Sequence, residues 1–228
     1  MENLTQELLD ELECKTAFTI PVAGGIPVPV SVVVTWIIMA VIMAATLIFV
    51  RNLKIVPTKP QTIIEGAVEW LYNFLGDIVG ENGREYIPYL GTVLIYIGIS
   101  NIIGVFGLTP PTKDLNVTAA LAIMSIVLIQ VASIRSKGVK RWIRSFAEPA
   151  PFIAPLNVME LVIKPLSLCM RLFGNVLGAF VVMELIKIVA PAVVPIPLSL
   201  YFDFFDGFIQ AYVFVFLTSL FLQEAIEE

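Results

Sequence analysis

The sequence contains no histidine, only two cysteines, and few charges, since charged residues make up 14% of its 228 positions. Without histidine it lacks the side chain that most often carries protons or binds metals near neutral pH. Cys14 and Cys169 lie in segments of very different polarity, so we expect no disulfide between them. The net charge of −5 argues against nucleic-acid binding, which requires a basic face.

Other features of enzymes and transporters are also missing. The sequence offers no nucleophile–base pair and no metal-ligating cluster, so we expect a non-catalytic protein without a cofactor. It has no internal repeat, which is the usual sign of a secondary transporter. The acidic N-terminus is not followed by a short apolar segment with a cleavage site, so we expect no signal peptide.

Apolar residues dominate the chain. They make up 58% of it, and the mean hydropathy is +0.90, whereas about a quarter of a soluble domain is charged. We predict an all-α polytopic membrane protein with five transmembrane helices plus one amphipathic interfacial helix, the last two spans being long and tilted. Residues 1–29 would be an external tail and 30–228 a single membrane domain, with spans at 30–50, 86–108, 115–134, 157–189 and 198–222.

The segment 60–79 has a different pattern. Its apolar residues recur at helical spacing, while Glu65, Glu69, Asn73 and Asp77 fall on the other side. This predicts an amphipathic helix at the membrane interface and not a span. Because the polar face is acidic, we expect the helix to pack beside neighbouring spans instead of attracting anionic lipid.

Lysine and arginine in the short loops predict the orientation. Loop 51–59 carries three of these residues and loop 135–144 carries five, whereas the tail before the first span and loop 109–114 have one each and loop 190–197 has none. The N-terminus is therefore expected outside a cell membrane and the C-terminus in the cytoplasm.

The fourth predicted span is too long for a simple crossing. Residues 157–189 would measure ~50 Å as a helix, against a hydrocarbon core of ~30 Å. We expect this helix to tilt strongly, to kink at Pro165, or to extend beyond the bilayer.

Arg171 stands in the middle of this span, within the segment KPLSLCMRLFGN at 164–175. A guanidinium at membrane depth costs roughly 2.5 kcal/mol on insertion scales, so we interpret Arg171 as the functional centre. Glu160 and Lys164 share its face to within roughly 40°. They form either an ordinary i,i+4 pair near a helix end or a polar lining from Arg171 towards the cytoplasm.

Three carboxyl groups fall in the predicted outer half of the last two spans. Glu184 follows Arg171 by 13 residues, and Lys187, one turn later, could neutralise it. Asp203, Asp206 and Gln210 share one face of an α-helix. The carboxyl groups either lie along a proton or cation path, protonated or facing water, or the two aspartates merely cap the start of span five.

Three segments resemble the F-type ATP synthase subunit a family. They are the arginine segment 164–175, the block YLGTVLIYIGISNIIGVFGLTPPTKDLNVTAALA at 89–122, and GFIQAYVFVFLTSLFL at 207–222. They occur in the family's order, and the resemblance covers most of the chain from about residue 30.

This resemblance implies roles for individual residues. Arg171 would face the carboxylate of a rotor ring, with Asn175 and Gln210 as polar neighbours. The chain also departs from the family pattern: Phe180 stands where an acidic residue is frequent, and Asp203 stands where many members have histidine. The assignment of Glu184, Asp203 and Asp206 to the outer half-channel therefore depends mainly on helix geometry.

The implied function is coupling within the FO sector, with the c-subunit ring, the b-subunit peripheral stalk and membrane lipid as partners. A proton, or alternatively a sodium ion, would pass from the outer half-channel to the ring carboxylate and leave through an inner half-channel near Glu160. Arg171 would displace the ion and block a short circuit. The alternative is a stand-alone ion channel or secondary transporter, which would conduct without a ring.

Overall fold

Helices form most of the regular structure in the computed structural model, which describes residues 16–20, 26–51, 54, 59–106, 108–145, 152, 154–189 and 195–227. Two short strands, β1 and β2, precede the helices. The α-helices are α1 Val30–Val50, α2 Lys59–Val79, α3 Ile87–Ile102, α4 Leu115–Lys137, α5 Val139–Ser145, α6 Ala154–Val189, α7 Pro195–Ser199 and α8 Gly207–Glu227.

The strands form an antiparallel pair that the sequence analysis did not predict. β1 spans Thr16–Ile20 and β2 spans Ile26–Pro29. Their β-branched residues favour extended structure, and β2 leads directly into α1.

Within the described ranges, four helical segments are long and apolar enough to cross a membrane: Val30–Val50, Leu115–Lys137, Ala154–Lys187 and Pro197–Glu227. On α1 only Val34 and Ile38 are buried, whereas Leu47 and Ile48 are 65% and 73% exposed. Apolar surface of this kind fits contact with lipid, and the chain is a multi-pass helical membrane protein.

The predicted span at 86–108 is not one long helix. It consists of α3, with 16 residues, followed by a 3₁₀ turn at Ile103–Phe106. Sixteen residues of α-helix extend ~24 Å, which is less than a hydrocarbon core of ~30 Å. The count of five spans therefore stays a prediction.

The basic segment 135–144, expected as a loop, is largely helical. α4 continues to Lys137, and α5 begins at Val139. Gly138 between them has φ 79°, and its N–H donates to the carbonyl of Ile134 over 2.9 Å. A left-handed glycine is a usual helix C-terminus, so the chain turns here in one residue.

The helix that carries Arg171 is continuous. α6 has 36 residues, begins three residues before the predicted span, and includes Pro165. At 1.5 Å per residue it is ~54 Å long. Such a helix must tilt or extend beyond a bilayer of ordinary thickness.

The last helical region differs from the prediction at both ends. α7 is followed by a π-helical segment, Leu200–Asp206, before α8 starts at Gly207. At its other end, α8 continues five residues beyond the predicted end of the last span, to Glu227. The predicted α-helical face for Asp203 and Asp206 therefore assumed a pitch that this segment does not have.

The chain forms two compact units. The first unit consists of Met1–Met43, Tyr96–Thr118 and Arg171–Ala211. Its buried side chains include Ile38, Ile97 and Leu172. Ser31 on α1 donates to the buried Asp114 carboxylate over 2.5 Å, and Asp114 also accepts from the backbone N–H of Asn116 at the start of α4.

The second unit consists of Ala44–Ile95, Ala119–Met170 and Tyr212–Glu228. Leu75, Leu90 and Leu222 are fully buried in it. On α2, Phe74 contacts Tyr212 of α8, with ring centroids 5.7 Å apart. α2 matches the predicted amphipathic helix 60–79 to within one residue, and its location at a membrane interface stays a prediction.

Candidate functional site

Arg171 lies on the exposed surface of α6, in the first unit. Within the part of the chain that the structure describes, no side chain forms an ion pair or hydrogen bond with its guanidinium. A permanent cation on an apolar helix is therefore left available to a group from another molecule.

The α6 surface beyond Arg171 is lined by small residues. Gly174, Asn175 and Gly178 are all exposed, and they follow Arg171 at three, four and seven positions, which keeps them on one side of the helix. A Cβ atom built on either glycine would meet no atom within 4 Å. Another backbone can approach this side of α6 closely.

A cavity of about 940 Å³ lies in the first unit. The end of α3, the turn before α4, α6, α7 and the π-helical segment all contribute to its walls. Its charged lining residues, among those that the structure describes, are Lys113, Glu184, Lys187 and Asp206. Charged groups beside apolar walls fit a water-filled path better than a packed core.

Glu184 and Lys187 form an ion pair in this wall, with Nζ 2.5 Å from Oε1. The Glu184 side chain is 20% exposed and that of Lys187 is 53% exposed. This pair has the geometry in which Lys187 neutralises Glu184. The Glu184 carboxylate can take part in ion transfer only when this ion pair opens, or when Lys187 balances only part of its charge.

Asp206 is the last residue of the π-helical segment and lines the same cavity. Its carboxyl group is in hydrogen-bonding reach of the Gln210 side chain, one turn into α8. Gln210 itself is buried. The backbone of Asp203 belongs to the same π-helical segment, but its side chain lies outside the described part of the structure.

A buried polar network supports the π-helical segment, and the sequence analysis did not assign it a role. Asn101 on α3 is 4% exposed, and its Nδ2 donates to the carbonyl of Gly207 over 3.0 Å. The Thr112 hydroxyl donates to Asn101 Oδ1 over 2.7 Å. The only signal in the sequence was an asparagine inside an apolar run.

Lys113 was also missed, since it was counted only as a loop charge. Its Nζ lies 3.3 Å from the centre of the Phe180 ring on α6. Cations within about 6 Å of a ring centre interact favourably with it. Both residues line the cavity.

Glu160 lies elsewhere, in the second unit. Its Oε2 is 3.3 Å from Lys164 Nζ, the i,i+4 pair that the simpler interpretation expected. Lys164 Nζ also donates a hydrogen bond to Glu224 Oε2 of α8 over 2.9 Å. The same Nζ lies 5.2 Å from the centre of the Phe221 ring. This arrangement joins two helices and leaves both carboxylates partly exposed.

The predicted site residues are thus divided between the two units. Arg171, Asn175, Glu184, Asp206 and Gln210 belong to the first unit, and Glu184 and Asp206 line one cavity there. Among the described residues, no group of three or more potential metal ligands occurs. What the first unit can do chemically is hold water beside carboxyl groups and present a cation on its surface.

Comparison with known proteins identifies close relatives. The family model for the ATP synthase A chain matches residues 32–223. A Moorella thermoacetica protein named "ATP synthase subunit a" is 41% identical over 196 residues, which are 86% of this chain and 89% of that protein. "ATP synthase subunit a 1" of Pelobacter propionicus is 36% identical, covering 87% and 88%. "ATP synthase subunit a, sodium ion specific" of Propionigenium modestum is 33% identical, covering 89% and 75%.

Proposed function

The chain belongs to the ATP synthase A chain family, and we propose that it is the stator subunit that carries ions to and from a rotating c-subunit ring. In this function it does not catalyse ATP synthesis itself. It supplies two half-channels and Arg171, and it assembles with the ring, the b-subunit peripheral stalk and membrane lipid. The coupling ion is the proton, with sodium as the alternative that one relative's name raises.

The observation that carries this proposal is the exposed guanidinium of Arg171, which pairs with no side chain in the described part of the structure. A residue that costs roughly 2.5 kcal/mol at the centre of a membrane helix requires a partner or a function. Among the described side chains none acts as its partner. A carboxylate on a neighbouring ring would pair with it, and a permanent cation is suited to displacing that carboxylate's ion.

The small residues near Arg171 support the same interface. Gly174 and Gly178 are exposed and have free space at their Cβ positions. Helices in membranes pack closely through such residues. A ring helix could then bring its carboxylate within hydrogen-bonding distance of Arg171, with Asn175 as a polar neighbour one turn away.

The cavity in the first unit supports an outer half-channel. An ion that enters it would reach Glu184 and Asp206, with Gln210 holding Asp206, and would then neutralise the ring carboxylate. Asp203 is assigned to this path by its sequence position alone. After nearly a full turn of the ring, the ion would leave through the inner half-channel near Glu160. For this, the ion pairs that Lys164 forms with Glu160 and Glu224 would have to open.

The proposed topology has an external N-terminus and five spans in a cell membrane. Segments 51–59 and 135–144 carry three and five lysine and arginine residues, whereas segment 109–114 carries one and 190–197 none. By the positive-inside rule, the first two segments would be cytoplasmic and the other two external. The fifth span would be α3 with its following 3₁₀ turn, and 30–228 would act as one membrane domain behind the tail 1–29.

The decisive test replaces Arg171. Arg171→Ala should abolish ion-driven ATP synthesis while the chain still inserts, because removing the charge favours insertion by roughly 2.5 kcal/mol. Arg171→Lys should fail or nearly fail, since lysine loses its proton more readily when desolvated and lacks the planar fork. The measurements are ATP synthesis and passive ion flux in reconstituted vesicles, with assembly checked by co-purification of the ring.

An assembled Arg171→Ala complex that made ATP at nearly the wild-type rate would contradict the proposal. Passive flux provides the control against the competing function. A stand-alone channel would conduct in vesicles that contain the chain without the ring, whereas the proposed stator subunit would not.

A further inference from the structure

The proposed inner half-channel near Glu160 contains a lysine that two carboxylates share. Lys164 Nζ on α6 lies 3.3 Å from Glu160 Oε2, one turn earlier on the same helix, and 2.9 Å from Glu224 Oε2 on α8. All three residues belong to the second unit. Glu224 lies beyond the predicted last span, and no role was predicted for it.

The end of α8 that carries Glu224 is packed into the second unit. Ile226 is 9% exposed, and its carbonyl accepts a hydrogen bond from the Ser136 hydroxyl of α4 over 3.2 Å. The Phe221 ring centre lies 5.2 Å from Lys164 Nζ, within the range of a favourable cation–π contact. These contacts hold the backbone of Glu224 beside the lysine.

Water can reach this cluster without surrounding it. The side chain of Lys164 is 25% exposed, whereas those of Glu160 and Glu224 are 57% and 44% exposed. Because both carboxylate oxygens contact the same nitrogen, they lie within about 6 Å of one another, a gap that a single water molecule can bridge. A proton can therefore pass between the two carboxylates and on to water.

Sharing one ammonium changes what a proton does here. When a proton binds to either carboxylate, that group becomes neutral, and Lys164 keeps its ion pair with the other one. In a simple pair, protonation of the only carboxylate would leave the ammonium unpaired, which is costly for a charge that is largely removed from water. The shared arrangement can thus take up and release one proton without that cost.

We propose that Glu160 and Glu224 are alternative proton acceptors of the inner half-channel and that they exchange one proton around the shared ammonium of Lys164. The O–H bond of the ring carboxyl group breaks, and an O–H bond forms on one of the two glutamates, directly or through water. Water on the inner side then takes the proton, so the ion pairs of Lys164 open one at a time. This proposal rests on the proposed stator function and adds Glu224 to its exit path.

Glutamine substitutions separate proton transfer from packing. Glu160→Gln and Glu224→Gln keep the side-chain length and an amide oxygen that can accept from Lys164, but the amide cannot carry the proton. Glu224→Asp keeps the acid. Glu227→Gln is the matched control, because Glu227 is an exposed carboxylate one turn later on α8 that accepts from Gln223 over 3.1 Å.

The whole complex is reconstituted in vesicles, with assembly checked by co-purification of the ring, and proton-driven ATP synthesis is measured in H₂O and in D₂O. Each single glutamine variant should lose about threefold or less, because the other acceptor remains, whereas the double variant should lose about tenfold or more. Its solvent isotope effect should rise, because proton release then limits the rate. Glu224→Asp and Glu227→Gln should remain close to the wild type.

A purely structural ion pair predicts a different pattern. In the double variant Lys164 is left without a carboxylate, and a loss caused by that stranded charge should be reversed when Lys164→Met is added. A loss caused by missing acceptors should persist in this triple variant. If the double variant does not assemble, the triple variant, which has no stranded charge, takes its place in the comparison with the single variants.

The proposal is overturned if either single variant is as slow as the double variant, or if the double variant is no slower than the single ones. Recovery of ATP synthesis in the triple variant overturns it as well, and so does a double variant whose solvent isotope effect equals that of the wild type. If Arg171→Ala abolishes synthesis while the glutamine variants behave like Glu227→Gln, the stator function stands and the shared exit does not.

Discussion

Gly207 is a position where the structure predicts a large effect from a small substitution. A Cβ atom added there would lie 2.8 Å from Asn101 Cβ and 3.7 Å from the Asn101 carbonyl carbon. Non-bonded carbons pack at about 3.5–4.0 Å. Gly207→Ala therefore forces α8 and α3 apart at the point where the π-helical segment ends.

The expected cost follows from three contributions. Overpacking of a tight site costs roughly 1–3 kcal/mol. If the shift breaks the 3.0 Å hydrogen bond from Asn101 Nδ2 to the Gly207 carbonyl, about 1 kcal/mol more is lost. The higher helix propensity of alanine stabilises the helix by about 1 kcal/mol and offsets part of this cost. The net destabilisation should be about 1–3 kcal/mol, and displacement of the adjacent Asp206 should lower ATP synthesis.

The assay is the thermal stability of the purified complex, read as retention of this chain after heating, together with ATP synthesis in vesicles. Gly98→Ala is the matched control, because Gly98 is also helical and a Cβ there would meet nothing within 4 Å. Asn101→Gly removes the atom that clashes, whereas Asn101→Ala keeps it. The penalty of Gly207→Ala should therefore shrink in the Asn101→Gly background and persist in Asn101→Ala.

The reasoning would be refuted if Gly207→Ala were as stable and active as Gly98→Ala. It would be refuted equally if both Asn101 backgrounds gave the same penalty, since the cost would then not come from this contact.

Two further predictions concern orientation and the start of α4. A cysteine at Lys140 should react with a membrane-impermeant thiol reagent only from the cytoplasmic face, and labelling only from outside would overturn the topology. Asp114→Ala should destabilise the chain by about 2–3 kcal/mol. The substitution removes the hydrogen bond that the Asn116 N–H donates to the Asp114 carboxylate, and it leaves the Ser31 hydroxyl without its acceptor. Heating the purified complex measures this loss, and a stability equal to that of the wild type would contradict the role of Asp114.

Hydropathy and helical periodicity predicted most of the helices. α1 has the predicted bounds, α2 starts one residue early, and α4 starts where it was expected. These elements are determined by local sequence, since a long apolar run must satisfy its own backbone and helices do so without neighbours. Resemblance to a known family also predicted the membership that the comparisons established.

Irregular structure was harder to predict, because it depends on single residues. Gly138 turns a run of basic residues into two helices by adopting a left-handed conformation. The hairpin of β1 and β2 is too short to give a periodic signal. The π-helical segment has the composition of an α-helix, so nothing in its sequence predicted the extra residue per turn.

Arg171 could be singled out from the sequence because its cost is local: a charge in an apolar helix needs an explanation wherever the neighbours lie. The residues that surround the cavity could not be identified from the sequence, because the cavity depends on contacts between distant segments. Asn101 and Gly207 are separated by 106 positions, and Lys113 meets Phe180 across two elements. Such contacts depend on the rotation of each helix about its axis, which hydropathy does not determine.

The π-helical segment and the Asn101–Gly207 contact are best understood together. π-helical turns are rare and often occur at functional sites, and this one ends at the residue whose carbonyl accepts the Asn101 amide. The missing Cβ of Gly207 allows that close approach. Because Asp206 immediately precedes this fixed point, the contact determines where a carboxyl group enters the cavity. The sequence identified the carboxyl group, but its position depends on an asparagine and a glycine that carry no charge.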